Sequence, residues 1–233
     1  MFSIHYFAAM KPEFTKWQRY RSYILPIIVE CDHSSLHQYI EVAYSSGHLV
    51  LNTATANYSF GSIQQVYDKA FRTIHIREHA IHKVLILGYG TGTAAQLLFK
   101  IFGDRNISIT GVEKDERIIY YARTYFDAEH YEGLTLIQSD AYEFLLQDKE
   151  SYDLIIVDVA LDYYVPSEYE ESIFLQSTYQ HLNKDGILMF TKVTASRTLY
   201  KQYLALQQKS ASIFQNAASV VALGIYRILI CYK

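Results

Sequence analysis

Two kinds of apolar pattern alternate along most of this chain. Short, nearly unbroken apolar runs at residues 83–87, 107–113, 134–138, 154–159 and 186–193 read as strands. Between them, apolar positions return every three or four residues. That spacing predicts helices over 91–102, ended by Gly103, over 115–126, over 168–182 and over about 195–214. Asp140, with Glu143 three residues later, marks the cap of another helix. Runs 219–223 and 225–232 meet around Gly224, and so short a connection forces an antiparallel pair. Ahead of residue 61 the pattern differs: alternating or β-branched runs at 23–31, 37–44 and 48–53, with Ser45-Ser46-Gly47 as a hairpin turn. Residues 61–80 read as a helix with Ile63, Val66, Ala70, Ile74 and His75 on one face.

Alternating strands and helices imply an α/β fold, a Rossmann-like parallel sheet covered on both faces. The expected division is a small antiparallel β unit, 1–60, and a Rossmann-like domain, 61–233. In such sheets the ligand lies beyond the carboxyl ends of the strands. The chemistry is therefore sought just after Leu87, Val112, Gln138 and Val157.

Composition narrows the choice. Of 233 residues, 50% are hydrophobic, with 10 glycines and 3 prolines, which excludes collagen-like and disordered classes. Lysine and arginine number 21 against 24 acids, a net charge of -3, so no basic footprint points to nucleic acid. Cys31 and Cys231 stand near opposite ends and offer neither metal spacing nor a disulfide framework. No apolar run approaches membrane-spanning length, and the start lacks a signal-peptide pattern. A cytoplasmic protein with no membrane partner is expected.

Candidate residues stand at each chosen strand end. Gly88-Tyr89-Gly90-Thr91-Gly92-Thr93 follows the first strand, as a tight turn with backbone open to a ligand. Glu113, 25 residues after Gly88, suits two ribose hydroxyls. Asp140 either caps its helix, meets an adenine amine, or does both. Asp158 ends an apolar strand, placed to act as a base or to bind an amine. Seven acids lie between residues 150 and 182, including Asp162, Glu168, Glu170 and Glu171, with no lysine or arginine among them. Such an edge favours a cationic substrate, although acids at 168–171 also suit a helix N-terminus. Tyr163 and Tyr164 are candidates for an apolar wall of the same pocket. His75, His79 and His82 share a face if their helix runs that far; no cysteine accompanies them, and no metal is expected.

With these positions in view, the chain resembles the spermidine synthase (polyamine aminopropyltransferase) family of the class I AdoMet-dependent methyltransferase-like fold. The matching segments are VLILGYGTGTAAQLL, ITGVEKDERIIYYARTYF, LTLIQSDAYEFL, YDLIIVDVALDYYVP and FLQSTYQHLNKDGILMF. Ile86 is apolar, as in aminopropyltransferases, where methyltransferases usually carry an acid. The resemblance implies sheet order 3-2-1-4-5-7-6. It implies a nucleoside site of Gly88, Gly90, Thr91, Gly92, Glu113, Lys114, Asp140 and Ala141, with Asp158, Asp162 and Tyr67 as catalytic residues. It also implies S-adenosyl-L-methionine or decarboxylated S-adenosylmethionine as cofactor, a small cationic amine as partner and, by analogy, a homodimer. The chain departs from the family pattern at three places. Thr91 stands at the glycine-loop aspartate, Leu161 at the second catalytic-loop aspartate, and Ile63-Gln64-Gln65-Val66-Tyr67-Asp68-Lys69 keeps only the tyrosine of an acidic element. One reading and two alternatives follow. The first is AdoMet-dependent methyl transfer to an unknown small acceptor. The alternative is aminopropyl transfer from decarboxylated AdoMet to a putrescine-like amine. The second alternative is a non-catalytic nucleoside-binding scaffold.

Overall fold

The computed structural model describes residues 12–54, 62–103, 106–161 and 164–233. The chain forms two sheets. Strands β1 (Ile27–Asp32), β2 (Ile40–Ser45) and β3 (His48–Thr53) make an antiparallel meander. Ser46 and Gly47 turn β2 into β3 with φ of 51° and 82°, the left-handed pair of a tight hairpin turn. The second sheet holds β4 (Lys83–Leu87), β5 (Ser108–Glu113), β6 (Leu134–Gln138), β7 (Tyr152–Val157), β8 (Leu182–Val193), β9 (Asn216–Ala222) and β10 (Tyr226–Tyr232). Its order is β6-β5-β4-β7-β8-β10-β9, the expected 3-2-1-4-5-7-6 when β4 is counted first. The first five strands run parallel, and β10 pairs antiparallel with both β8 and β9.

Strand alternation divides the core into two layers. Val84, Ile86, Leu154, Ile156, Ile187 and Met189 pack against α2 (Ser62–Thr73) and α3 (Thr93–Phe102). Their neighbours Leu85, Leu87, Ile155, Val157, Leu188 and Phe190 face α5 (Ala141–Gln147), α6 (Ser172–His181) and α7 (Arg197–Ala211). A third apolar cluster joins the two sheets: Ile40, Val42 and Leu51 pack on Ile118, Tyr121 and Tyr125 of α4 (Glu116–Tyr125).

Several boundaries differ from the sequence reading. A short helix, α1 (Lys16–Arg21), precedes β1, started by a capping box between Thr15 and Gln18. β1 accordingly begins at Ile27 and not at residue 23. α2 stops at Thr73, because His75 takes a left-handed φ of 51°. The three histidines therefore share no helical face: His79 Nε2 bonds the Ile74 carbonyl at 3.0 Å, and His82 enters β4 with its N–H on Asp153. Residues 167–170 form a separate 3₁₀ turn, and α6 begins at Ser172, because Glu171 is extended. β7 spans Tyr152–Val157, two residues earlier than expected at each end, and β8 starts at Leu182 directly after α6.

Tyr89 is a wedge under the first βα turn. A side chain at Gly92 would meet its hydroxyl, and one at Gly111 would meet its ring. Tyr89 is 4% exposed, and its hydroxyl has no hydrogen-bond partner among the described residues. Tyr89→Phe removes a buried unpaired donor without opening a cavity, so it is expected to stabilise the fold by about 1 kcal/mol in urea unfolding. A loss of stability would show that the hydroxyl is bonded.

Candidate functional site

A cavity opens at the carboxyl ends of β4, β5, β7 and β8, closed from above by α2 and by the loop between β1 and β2. Three backbone crossings shape its floor. Gly88 and Tyr89 both donate N–H bonds to the Val112 carbonyl at 2.9 Å, and the Asp158 N–H bonds the Leu87 carbonyl at 2.8 Å. Gly88, at φ 83°, lies against the Asp158 backbone with no room for a Cβ.

One half of the cavity lies over β4, β5 and β6. Glu113 ends β5; its carboxylate accepts N–H bonds from Gly90 at 2.9 Å, Lys114 at 2.9 Å and Asp115 at 3.0 Å. Burial raises its carboxyl above the ordinary value, partly countered by those three donors. Three of about four acceptor positions are filled, leaving room for a hydroxyl such as that of a ribose. Gly90, Thr91, Thr93, Lys114, Ser139 and Ala141 line the same half. Thr91 is buried, with its hydroxyl 3.5 Å from that of Thr93. Gly92 caps α3 at φ 81° beneath the lining.

Asp140 occupies a different place from its neighbours. It is absent from the cavity lining among the described residues, where Ser139 and Ala141 appear instead. Its Oδ1 caps α5 through the Tyr142 and Glu143 N–H groups at 2.8 and 3.3 Å. Its Oδ2 accepts the Tyr169 hydroxyl at 2.6 Å and pairs with Lys114 Nζ at 3.1 Å. Burial would raise its carboxyl, but these donors outweigh burial and hold it below the usual range.

The other half lies over β7, β8 and β10. Asp158 follows β7 and receives the Tyr67 hydroxyl from α2 at 2.7 Å on Oδ2. The Tyr67 oxygen also lies 3.2 Å from the Thr191 hydroxyl of β8. Burial lifts the Asp158 carboxyl to about 6; the Tyr67 bond opposes that shift and the Glu113 charge adds to it. Burial and the Asp158 charge push the Tyr67 phenol well above its ordinary value, so it stays a donor. Asp162 and Tyr163 lie outside the described residues; Tyr164 pairs with Leu161 through two backbone bonds and is 49% exposed. The acidic edge is largely answered by cations elsewhere. Glu170 pairs with the buried Lys192, and Glu171 with Lys209 at 3.0 Å.

Two contributions escaped the sequence reading. His37 and Leu36 of the β1–β2 loop line the cavity. His37 Nδ1 lies 3.0 Å from Asp115 Oδ2, which the Ser34 hydroxyl also reaches, while Asp115 Oδ1 caps α4. Burial would raise the Asp115 carboxyl, and the bonds from His37, Ser34 and the Arg117 N–H bring it below its ordinary value instead. No spacing in the sequence announces this junction. Thr191 and Val193, at the end of β8, were legible as a fifth strand end in the same sheet.

Comparison with known proteins extends this geometry. A probable polyamine aminopropyl transferase of Bifidobacterium longum is 30% identical over 199 residues, covering 81% of this chain and 43% of the relative. The chain thus spans less than half the length of that curated relative. In the solved spermidine synthase of Thermotoga maritima the likeness covers 89% of this chain and 73% of that one, with a TM-score of 0.74 at 15% identity. A spermidine synthase in complex with the transition state analogue AdoDATO gives 0.72 at 16% identity, covering 89% and 72%. Both likenesses are of fold. The model of the spermine/spermidine synthase domain matches residues 66–228, from the helix that carries Tyr67 to the last strand of the sheet, and the chain belongs to that family.

Proposed function

We propose that this site transfers an aminopropyl group from decarboxylated S-adenosylmethionine to the nitrogen of a small amine. The observation that carries the reading is the Asp158–Tyr67 pair, a half-buried carboxylate held at 2.7 Å in the part of the cavity over β7 and β8. Family membership and the polyamine aminopropyl transferase relative support this alternative better than methyl transfer.

The residues fit the donor. Glu113 has acceptor capacity for a ribose hydroxyl, Gly90 brings backbone close, and Ala141 and Ser139 leave space for a flat base. When bound, the sulfonium supplies an electrophilic carbon and a neutral thioether leaving group. Asp158 attracts the acceptor as its ammonium and takes the proton that the nitrogen gives up. Tyr67 fixes the carboxylate rotamer, and Thr191 fixes Tyr67. Asp162 is kept as a proposed second catalytic carboxylate. Asp140 positions Lys114 and Tyr169 at the nucleoside end and leaves the base to its neighbours.

Methyl transfer from AdoMet is kept as a second reading because Thr91 is uncharged and would not repel a donor carboxylate. The small sheet of residues 1–60 is proposed to act as one wall of the site. Exposed Trp17, Tyr20, Ile24 and Ile28 support pairing of two copies, which light scattering would read as twice the chain mass. The deciding experiment incubates the purified protein with decarboxylated AdoMet, or with AdoMet, plus a panel of amines. Release of methylthioadenosine with a new polyamine or alkylated amine supports aminopropyl transfer. Release of the demethylated thioether from AdoMet would transfer the case to the second reading. Neither product, together with nucleoside binding in calorimetry, would leave a scaffold.

A further inference from the structure

The chain between β7 and α6 supplies one wall of the cavity, through Val165, Pro166, Glu168 and Tyr169. Two adjacent residues of that wall are tied to opposite sides of the sheet. The Tyr169 hydroxyl is held by Asp140, which follows β6. The Glu170 carboxylate is held by the ammonium of Lys192, inside β8. In the order β6-β5-β4-β7-β8 these are the two outer members of the parallel set. The 3₁₀ turn of residues 167–170 is thus a strap pinned from both sides of the site.

Lys192 is a costly place for a charge. Strand alternation puts it on the face of β8 that carries the core residues Leu188 and Phe190. Its side chain is 1% exposed, and that of Glu170 14%. Its neighbours Thr191 and Val193 face the cavity instead. Arg227 of β10, its register partner, has its guanidinium over the rings of Tyr200 and Tyr203, at 4.9 and 5.6 Å from their centres. Lys192 is therefore the cation on the Glu170 carboxylate. Lys209 of α7 adds an outer hold, with Nζ 3.2 Å from the Glu170 carbonyl and 3.0 Å from the Glu171 carboxylate. That pair is open to water and screened by salt.

Stability alone does not account for the Lys192–Glu170 pair. Desolvating two charges offsets much of their attraction, and apolar residues of similar volume often hold a fold as well or better. What an apolar pair lacks is direction: a charge-assisted hydrogen bond fixes one distance between its ends. We infer that Lys192 is a positioning residue of the proposed transferase site. Through Glu170 it sets how far the turn stands from β8, and so the width of the cavity beside Thr191 and Val193. The inference rests on the aminopropyl-transfer reading and adds a residue to it.

The test separates positioning from folding with Lys192→Met and the double variant Lys192→Met/Glu170→Met. The single variant takes the cation from a part-buried carboxylate, and its urea midpoint is expected to fall. The double variant removes both charges and is expected to regain the parent's midpoint or exceed it. Turnover does not recover with it. Methylthioadenosine release is followed with decarboxylated AdoMet and 1,4-diaminobutane, 1,3-diaminopropane or 1-aminobutane. For the amine the parent uses best, kcat/KM of the double variant is expected to be roughly tenfold or more below the parent's, carried by the KM of the amine. Its affinity for methylthioadenosine in calorimetry is expected to stay within about threefold, because Tyr169 keeps its bond to Asp140. A double variant that folds like the parent and keeps its kcat/KM overturns the inference and leaves aminopropyl transfer intact. A double variant no more stable than the single one, or one that loses methylthioadenosine affinity as steeply as turnover, also overturns it. No methylthioadenosine from the parent with any of the three amines defeats the reading and the inference together.

Discussion

Asp158→Asn is expected to lower turnover by about 10²–10⁴-fold while making the fold harder to unfold. The loss follows from its place: the amide keeps the Tyr67 bond but neither attracts an ammonium nor takes a proton. The gain follows from the raised carboxyl, ordinarily near 3.8 and here about 6. Between those values the folded protein holds a proton that the unfolded chain releases. Stability therefore falls as pH rises through that window, and the penalty persists at neutral pH. Two units correspond to roughly 3 kcal/mol. The open side of Asp158 toward the cavity reduces this, so about 1–2 kcal/mol is expected. Urea unfolding of parent and variant at pH 4 and pH 8 reads the effect: the gap should be near zero at the lower pH and favour Asn at the higher. A gap independent of pH would remove Asp158 as its source. With Asp158 in its proposed role, activity of the parent should show an acidic limb near pH 6, where that carboxylate takes up its proton.

Among the described glycines, Gly88→Ala should be the most damaging added methyl. At φ 83° an alanine is strained, and its Cβ would run into the backbone carbonyl of Asp158, a residue whose N–H is bonded to the Leu87 carbonyl. Either β4 or β7 must move, and both carry the site. A cost of about 3 kcal/mol or more is expected, with loss of nucleoside binding. Gly90→Ala is the control: φ is 57° and nothing lies within 4 Å of its added carbon, so only the conformational term of about 1 kcal/mol applies. Chemical denaturation of the two variants side by side checks the contrast. Equal losses would mean that the approach of the two strand ends is not what Gly88 serves.

Much of this was legible in the chain. The bounds of β4 and β6 are copied into the structure residue for residue, and in the central β4 burial on both faces leaves little choice of pattern. Asp140 as a cap was equally plain, because an acid before an amphipathic run has a local partner to bond. What could not be read depends on contacts between distant segments. Lys114 reaches Asp140 from the neighbouring end of β5, and Tyr169 reaches it only after the chain beyond β7 folds back, two partners that no local spacing announces. The acids at 168–171 looked like a cleft edge; Lys192, inside β8, and Lys209 of α7 answer two of them. The end of α2 at Thr73 rests on one left-handed residue, His75, for which the periodicity gives no sign.

Asp115 has a consequence for how the molecule comes apart. One carboxylate starts α4 and receives both Ser34 and His37 from the small sheet. Directly beyond it, Ile118, Tyr121 and Tyr125 share their core with Ile40, Val42 and Leu51. Melting the meander would strip three large side chains of α4 and unpair the latch two residues from Glu113. Melting α4 would do the same to β2 and β3. The two sheets have separate strand ladders, yet they are expected to unfold as one cooperative unit, with the Glu113 carboxylate two residues from the junction that couples them.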